Sequence, residues 1–386
     1  MRRVDGLDDL DDLVGLVAEP GDVDARFARQ LALPGFELET QRALQRARVL
    51  VIGAGGLGSS VLPALAALGV GTIGIVDDDT VETSNLPRQT IHTPHDVGRL
   101  KTTSAAEKLR MLSPTTRVVE HPVRLTAHDA AALVGDYDLL VDGSDNFPTR
   151  YLANDIAALL GIPLVWGSVS RFGGQVSAVA PGSPDYRDLF PTPPPPGSVR
   201  SCAEDGVYPP ACAMTAALMV AEVVKLLGGP GEPLLGRVAI VDALTARLSE
   251  VRFVRAPERE PVTALVDYEL LCGLPSASEE VTAAALREEL DGPEAPALLD
   301  VREPWEVDLV ALPGAIALPL ARLDELAESD ESGIGPDDRL VIYCHHGVRS
   351  AAALTRLRER GFTRVRHLRG GIDAWATEVD PSMRRY

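Results

Sequence analysis

Between Val49 and Val76 the chain carries no charged residue, and no other stretch narrows its possible folds so much. A run of that length is enough to cross a bilayer as a helix. Seven glycines and Pro63 interrupt it, however, and VLVIGAGGLGSSVLPALAALGVGTIGIV reads instead as strand, tight turn, helix and strand. Strands buried on both faces of a parallel sheet are apolar throughout, which accounts for the missing charge. In the turn, Gly53-Ala54-Gly55-Gly56-Leu57-Gly58, the glycines allow a phosphate close to the backbone, and the helix N-terminus attracts its negative charge. Asp77 closes the second strand, where it can accept hydrogen bonds from ribose hydroxyls. Gly53, Gly55, Gly56, Gly58 and Asp77 are therefore expected to hold a nucleotide. The fingerprint alone does not separate a nicotinamide dinucleotide from ATP.

The alternation of short apolar strands with helices continues and predicts a doubly wound α/β domain with a mostly parallel sheet. An amphipathic helical stretch, ARFARQLALPGFELETQRALQRA, leads into the first strand, and residues 1–24 form an acidic arm before it. After PLVWGSVSRFGGQVSAVA, the segment SPDYRDLFPTPPPPGSVRSCAEDGVYPPAC breaks the pattern. Its four consecutive prolines favour polyproline II and forbid a ladder, so a long irregular crossover is expected. A helix and two strand-like runs complete a domain over 25–256. A linker over 257–280 precedes a second, smaller α/β unit over 281–386.

The formal net charge of −19 leaves no basic stripe for nucleic acid or an anionic membrane. Four cysteines far apart (Cys202, Cys212, Cys272, Cys344) make neither a disulfide framework nor a zinc motif, so a reducing, cytoplasmic setting is expected. The N-terminus has no apolar signal core.

Two patterns carry chemistry beyond the glycine turn. Asn85, Arg88 and Lys101 follow the second strand, and Lys101 is one of only three lysines in the chain. A hydride-transfer site has little use for two cations there, whereas a triphosphate and its departing pyrophosphate need them. Val141-Asp142-Gly143-Ser144-Asp145-Asn146 ends another strand, where ligands bind in open α/β sheets; Asp145 is suited to holding Mg²⁺ against phosphate oxygens. Near the C-terminus, Cys344-His345-His346-Gly347-Val348-Arg349 joins a strand to a helix. The loop N–H groups and the helix N-terminus favour a thiolate or persulfide, and Arg349 adds charge or pins the loop.

RFARQLALPGF, RVLVIGAGGLGS, IVDDDTVETSNLPRQ, DGSDN, YRDLFP followed by SCAEDGV, and DVREPWE followed by YCHHGVRS together resemble the adenylyltransferase–sulfurtransferase fusions, most closely those of MoeZ type. In these, a Rossmann-like MoeB/ThiF domain related to ubiquitin-activating enzymes precedes a rhodanese domain. The resemblance covers the chain from about residue 25 onward. It implies ATP and Mg²⁺, with Gly56, Asp77, Asn85, Arg88, Lys101 and Asp145 at the nucleotide, beside Asn146. It implies a homodimer in which Arg29 reaches the other subunit's phosphates, Cys344 as the sulfur-bearing residue, and Cys202 in sulfur handover. It also implies ubiquitin-like sulfur-carrier partners ending in Gly-Gly and a sulfur donor, either thiosulfate or a cysteine desulfurase. Three departures stand out. Many relatives bind zinc through paired Cys-x-x-Cys motifs where this chain has Asp185-Tyr186-Arg187-Asp188 and Pro257-Glu258-Arg259-Glu260, so no zinc site is expected. Pro87 stands where glutamine is usual, and Tyr208-Pro209-Pro210, where Leu-Gly is usual, is expected to stiffen the segment after Cys202.

The expected reaction is adenylation of a carrier's terminal glycine carboxylate, then persulfide transfer from Cys344 to give a thiocarboxylate. Two rivals remain open at this level: a carrier-binding scaffold with a degenerate activation domain, and a nicotinamide-dependent dehydrogenase.

Overall fold

A computed structural model describes residues 25–194, 205–272, 279–327 and 334–386. The chain divides into two compact units, one within 25–191 and 205–265 and the other over 266–386. Cys202 and the acidic arm lie outside the described residues.

The first unit is built on an eight-stranded sheet: β1 (Arg48–Ile52), β2 (Thr72–Val76), β3 (Arg117–His121), β4 (Leu139–Asp142), β5 (Leu164–Ser170), β6 (Gly173–Val179), β7 (Arg237–Asp242) and β8 (Arg247–Arg252). Their order is β3-β2-β1-β4-β5-β6-β7-β8. The first five run parallel and the last three antiparallel. β2 and β4 are buried at every position, as strands covered on both faces must be. The helices are α1 (Leu38–Arg46), α2 (Gly58–Ala67), α3 (Lys101–Leu112), α4 (Phe147–Leu160) and α5 (Pro209–Leu226). Strand order reverses between β1 and β4, which opens a crevice at their C-terminal ends.

The helical stretch before β1 is two helices, Ala28–Leu31 and α1, broken around Pro34-Gly35. Pro209 and Pro210 begin α5, where proline's missing N–H costs nothing. α5 is the one described helix long and apolar enough to cross a membrane. Here it packs on β5 and β6 with Ala211, Cys212, Thr215, Ala216, Met219 and Val223 buried, and its buried Glu222 accepts from the Leu234 N–H.

The second unit holds a five-stranded parallel sheet: β9 (Glu280–Val281), β10 (Ala297–Asp300), β11 (Ile316–Ala317), β12 (Leu340–Tyr343) and β13 (Val365–Leu368), in the order β11-β10-β12-β13-β9. Around it lie α6 (Ala283–Leu290), α7 (Pro304–Leu309), α8 (Val348–Glu359) and α9 (Gly371–Glu378). Order reverses again between β10 and β12, so both units concentrate loops at a switch point.

Candidate active sites

The glycine turn leaves β1 and passes into α2. Gly53 sits at φ +88°, and a Cβ on Gly58 would lie 1.8 Å from the Gly53 carbonyl oxygen, so no larger residue fits there. Asp77 holds the turn from the end of β2: its Oδ2 accepts from the Ala54 N–H at 2.8 Å and its Oδ1 from the Asp79 N–H at 2.9 Å. Burial raises the Asp77 carboxyl above its usual range, against the pull of Lys101 and the Ala54 N–H. Lys101, buried at the start of α3, donates from Nζ to Asp79 at 2.7 Å. Burial alone would lower its pKa, but Asp77, Asp79 and Asp145 outweigh it and keep the ammonium charged. The Arg88 side chain passes 3.9 Å from where a Gly56 Cβ would be, and its Nη1 donates to the Ser84 carbonyl at 2.9 Å. Both cations therefore border the turn.

From β4, the Gly143 carbonyl reaches within 3.2 Å of where a Gly53 Cβ would sit, so the DGSDN turn abuts the glycine turn. Asp142 is wholly buried; its Oδ1 accepts from the Ser144 N–H, its Oδ2 has no partner, and burial raises its pKa. Asp145 is exposed and feels Lys101. An exposed, hard carboxylate of this kind suits Mg²⁺, which commonly takes one or two carboxylates and completes its shell with phosphate and water.

Two residues expected at the nucleotide also make local hydrogen bonds. Asn146 caps α4, accepting from the Thr149 N–H at 3.0 Å. The Asn85 side chain accepts from the Glu82 N–H and donates to Ser84, closing a local capping box. Arg29 is exposed two residues from Phe27, whose ring fills the space beside Gly69 beyond the far end of α2. That is about 15 Å from the glycine turn by the rise of the helix, so the structure does not bring Arg29 to its own chain's cradle.

One support had no counterpart in the sequence reading. His92 is buried under the turn, with Nε2 3.1 Å from the Ala54 carbonyl and Nδ1 2.8 Å from Ser104 Oγ, which accepts from Lys108. Burial lowers its pKa, so it is neutral here, and the carbonyl contact places its proton on Nε2. A lone histidine outside any motif carries no sequence signal for this role.

At the place of the missing cysteine pairs, Arg259 reaches Asp185 at 2.5 Å and Asp188 at 2.8 Å, and Asp188 also accepts from the Ala256 N–H at 3.0 Å. The acidic pair is thus engaged by a cation of the chain itself.

In the second unit, Cys344 leaves β12 with its sulfur at the N-terminus of α8, accepting from the Gly347 N–H at 3.1 Å. Gly371 lets α9 pass beneath: a Cβ there would lie 2.4 Å from the Cys344 carbonyl. That carbonyl accepts from the Ile372 N–H at 2.8 Å. Arg349 grips Glu306 with two bonds of 2.6 and 2.7 Å and so ties the loop to α7. Burial would raise the Glu306 carboxyl, but Arg349 and the Glu303 N–H hold it down at about 2. Beside it Arg302, wholly buried, forms a fork on Asp300 and donates to Tyr386 Oη at 2.6 Å. The Tyr386 ring stacks on His345 at 4.1 Å, and His345 on His346 at 3.9 Å. Cys344 is only 1% exposed.

A glycine-lined crevice flanked by cations and carboxylates defines a nucleotide-handling α/β domain. A cysteine at the head of a helix at a second switch point defines a thiol-chemistry domain. Residues 27–262 match the model of the ThiF family and 282–378 that of the rhodanese-like domain. The chain is 46% identical over 379 residues to the probable adenylyltransferase/sulfurtransferase MoeZ of Mycobacterium tuberculosis (strain ATCC 25618 / H37Rv), covering 94% of this chain and 95% of that protein. It is 36% identical to adenylyltransferase and sulfurtransferase MOCS3-2 of Zea mays, covering 95% and 82%. It is 48% identical to a sulfur carrier protein adenylyltransferase of Thermus thermophilus, covering 64% and 96%. Among solved structures, E. coli MccB with MccA-N7isoASN shares the fold at a TM-score of 0.57 and 22% identity, over 63% of this chain and 76% of MccB. The chain belongs to the ThiF family, in its fusion with a rhodanese-like domain, and is an adenylyltransferase and sulfurtransferase.

Proposed function

We propose that the chain activates the C-terminal glycine carboxylate of a ubiquitin-like sulfur carrier with ATP and then converts it to a thiocarboxylate. The observation that carries this is the pairing, in one chain, of a phosphate cradle edged by Arg88 and Lys101 with a cysteine whose sulfur faces a helix N-terminus. The carrier carboxylate attacks the α-phosphorus, giving the acyl adenylate and pyrophosphate. Lys101 and Arg88 stabilise the charge moving onto the leaving group, and the backbone of Gly53 to Gly58 admits the phosphates. Asp145 would hold Mg²⁺, which supplies charge neutralisation on the phosphate oxygens.

Sulfur carried on Cys344 as a persulfide then attacks the acyl carbon and releases AMP, leaving an acyl disulfide. A second thiol, Cys202 in our reading, takes up the Cys344 sulfur and frees the thiocarboxylate. Because Arg29 lies at the far end of α2, we infer a homodimer in which each subunit's Arg29 serves the other's triphosphate. Thiosulfate or a cysteine desulfurase supplies the sulfur, and the reducing cytoplasm suits a sulfur-carrying thiol at Cys344.

Intact-mass measurement of Gly-Gly-ended carriers incubated with enzyme, ATP, Mg²⁺ and thiosulfate tests the proposal. A true substrate gains about 16 Da as sulfur replaces oxygen. Pyrophosphate release without that gain in any carrier sinks the sulfur half; absence of both sinks the whole.

A further inference from the structure

Beneath Cys344 three polar side chains line up in the core of the second unit. Ser350 Oγ lies 3.6 Å from the sulfur, and His367 Nδ1 lies 3.4 Å from Ser350 Oγ. His367 Nε2 is 3.4 Å from Glu280 Oε1 yet buried without a hydrogen-bond partner. Ser350 is fully buried and His367 is 4% exposed. They come from separate elements, α8 and β13, with Glu280 on β9 beside it. Burying a hydroxyl and an imidazole together below a thiol costs desolvation that apolar residues would avoid.

We propose that Ser350 and His367 form a proton relay for Cys344, with Ser350 touching the reacting sulfur and His367, backed by Glu280, acting through it. This rests on the reading that Cys344 carries the sulfur. With Glu280 facing Nε2, the favoured tautomer carries its proton on Nε2, so Nδ1 is an acceptor. The Ser350 hydroxyl has two acceptors to choose from, the Gly347 carbonyl at 3.0 Å and His367 Nδ1. When it turns to Nδ1, its oxygen lone pair is free for the thiol. The S–H proton passes to Ser350 Oγ while the hydroxyl proton passes to Nδ1. A thiolate remains under the Gly347 N–H, and an imidazolium is paired with Glu280.

The thiolate then attacks the outer sulfur of thiosulfate. The S–S bond of thiosulfate breaks with its electron pair going to sulfite, and a persulfide anion stays on Cys344. The proton then leaves the imidazole for the departing sulfite or for water. Burial holds the His367 ring down at about 4, so near neutral pH it is neutral with Nδ1 unprotonated, and it holds the relayed proton only while the thiolate stands beside it. The charged groups that face it are Glu280 and, one residue earlier, Glu279, which pairs with Arg358 of α8 at 3.2 Å.

The test follows two reactions of the full chain from about pH 6 to about pH 9: iodoacetamide alkylation of Cys344, mapped by peptide mass, and sulfur transfer from thiosulfate to cyanide. Ser350→Ala and His367→Asn are each expected to slow both reactions about tenfold near pH 7, with the deficit closing by about pH 9 where hydroxide takes the proton. Ser350→Thr, which keeps the hydroxyl, restores the wild-type profile. A deficit equal at every pH, or none at all, in variants that keep wild-type melting temperature and pyrophosphate exchange overturns the relay. If His367→Asn unfolds, Ser350→Ala decides alone. Transfer that survives Cys344→Ala sinks the underlying reading of the thiol instead.

Discussion

The two switch-point crevices hold their charges differently. In the first unit Asp145 is exposed, Arg88 is half-buried, and Lys101 is kept charged by Asp77, Asp79 and Asp145. In the second, Cys344 is closed over, and the charges around it are consumed by one another: Asp300 by Arg302, Glu306 by Arg349, both capped by Tyr386. A site that neutralises a large anionic co-substrate must offer unspent charge to it. A site that moves one sulfur atom gains more from excluding water and oxidants from a reactive thiol. The difference teaches that the sulfur site has to open, whereas the phosphate site has to be filled.

The sharpest way to break this division is to remove one residue from each crevice. Cys344→Ala is expected to lower thiocarboxylate formation at least about a thousandfold while carrier-dependent ATP–pyrophosphate exchange stays at the wild-type rate. Asp145→Ala is expected to lose both, exchange falling roughly a hundredfold or more. Equal loss of exchange in the two variants would refute separate roles for the crevices.

Opening is tested at Tyr386. Its stack on His345 and its bonds to Arg302 and Glu306 close the loop over the thiol. Tyr386→Phe keeps the stack and loses the bonds; Tyr386→Ala loses both. Alkylation of Cys344 by iodoacetamide is expected to rise about tenfold in Tyr386→Ala and less in Tyr386→Phe, as local opening becomes easier. An unchanged rate in Tyr386→Ala would mean that the sulfur is reached from another side.

What could be read from sequence was whatever lies close along the chain. The turn after β1 and Asp77 at the end of β2 sit at strand ends, where burial periodicity and turn chemistry coincide, and Arg88 and Lys101 follow within the next two dozen residues. The antiparallel turn-back of β6 on β5 was not legible, because apolar strands look alike in either direction. Asn85 and Asn146 fit the expected pattern, but short amides in turns are as well suited to capping, and the structure uses them so. Tyr386 bonds Arg302 across 84 residues and Arg259 clasps Asp185 across 74, separations at which no local pattern exists. His92 and His367 become visible only when the sheet brings their partners to them.

The closed character of the sulfur site also sets its response to acid, by a smaller and graded effect. Glu306 has its carboxyl held at about 2, below the ordinary 4.5, by Arg349 and the Glu303 N–H. A carboxylate whose folded pKa is depressed contributes stability that is complete above the unfolded value and is lost as pH falls toward the folded one. The window therefore runs from about pH 4.5 down to about pH 2, and the contribution is at most about 3 kcal/mol. Glu306→Gln is expected to melt lower than wild type at neutral pH, with the gap narrowing as the pH drops through that window. It leaves Arg349 without its anion, so the loop bearing Cys344 loosens as well. Alkylation of Cys344 in this variant should then rise a few-fold, less than in Tyr386→Ala, because the stack on His345 stays in place. A melting gap that stays constant from neutral pH through acid would show that the Arg349–Glu306 fork does not depend on ionisation.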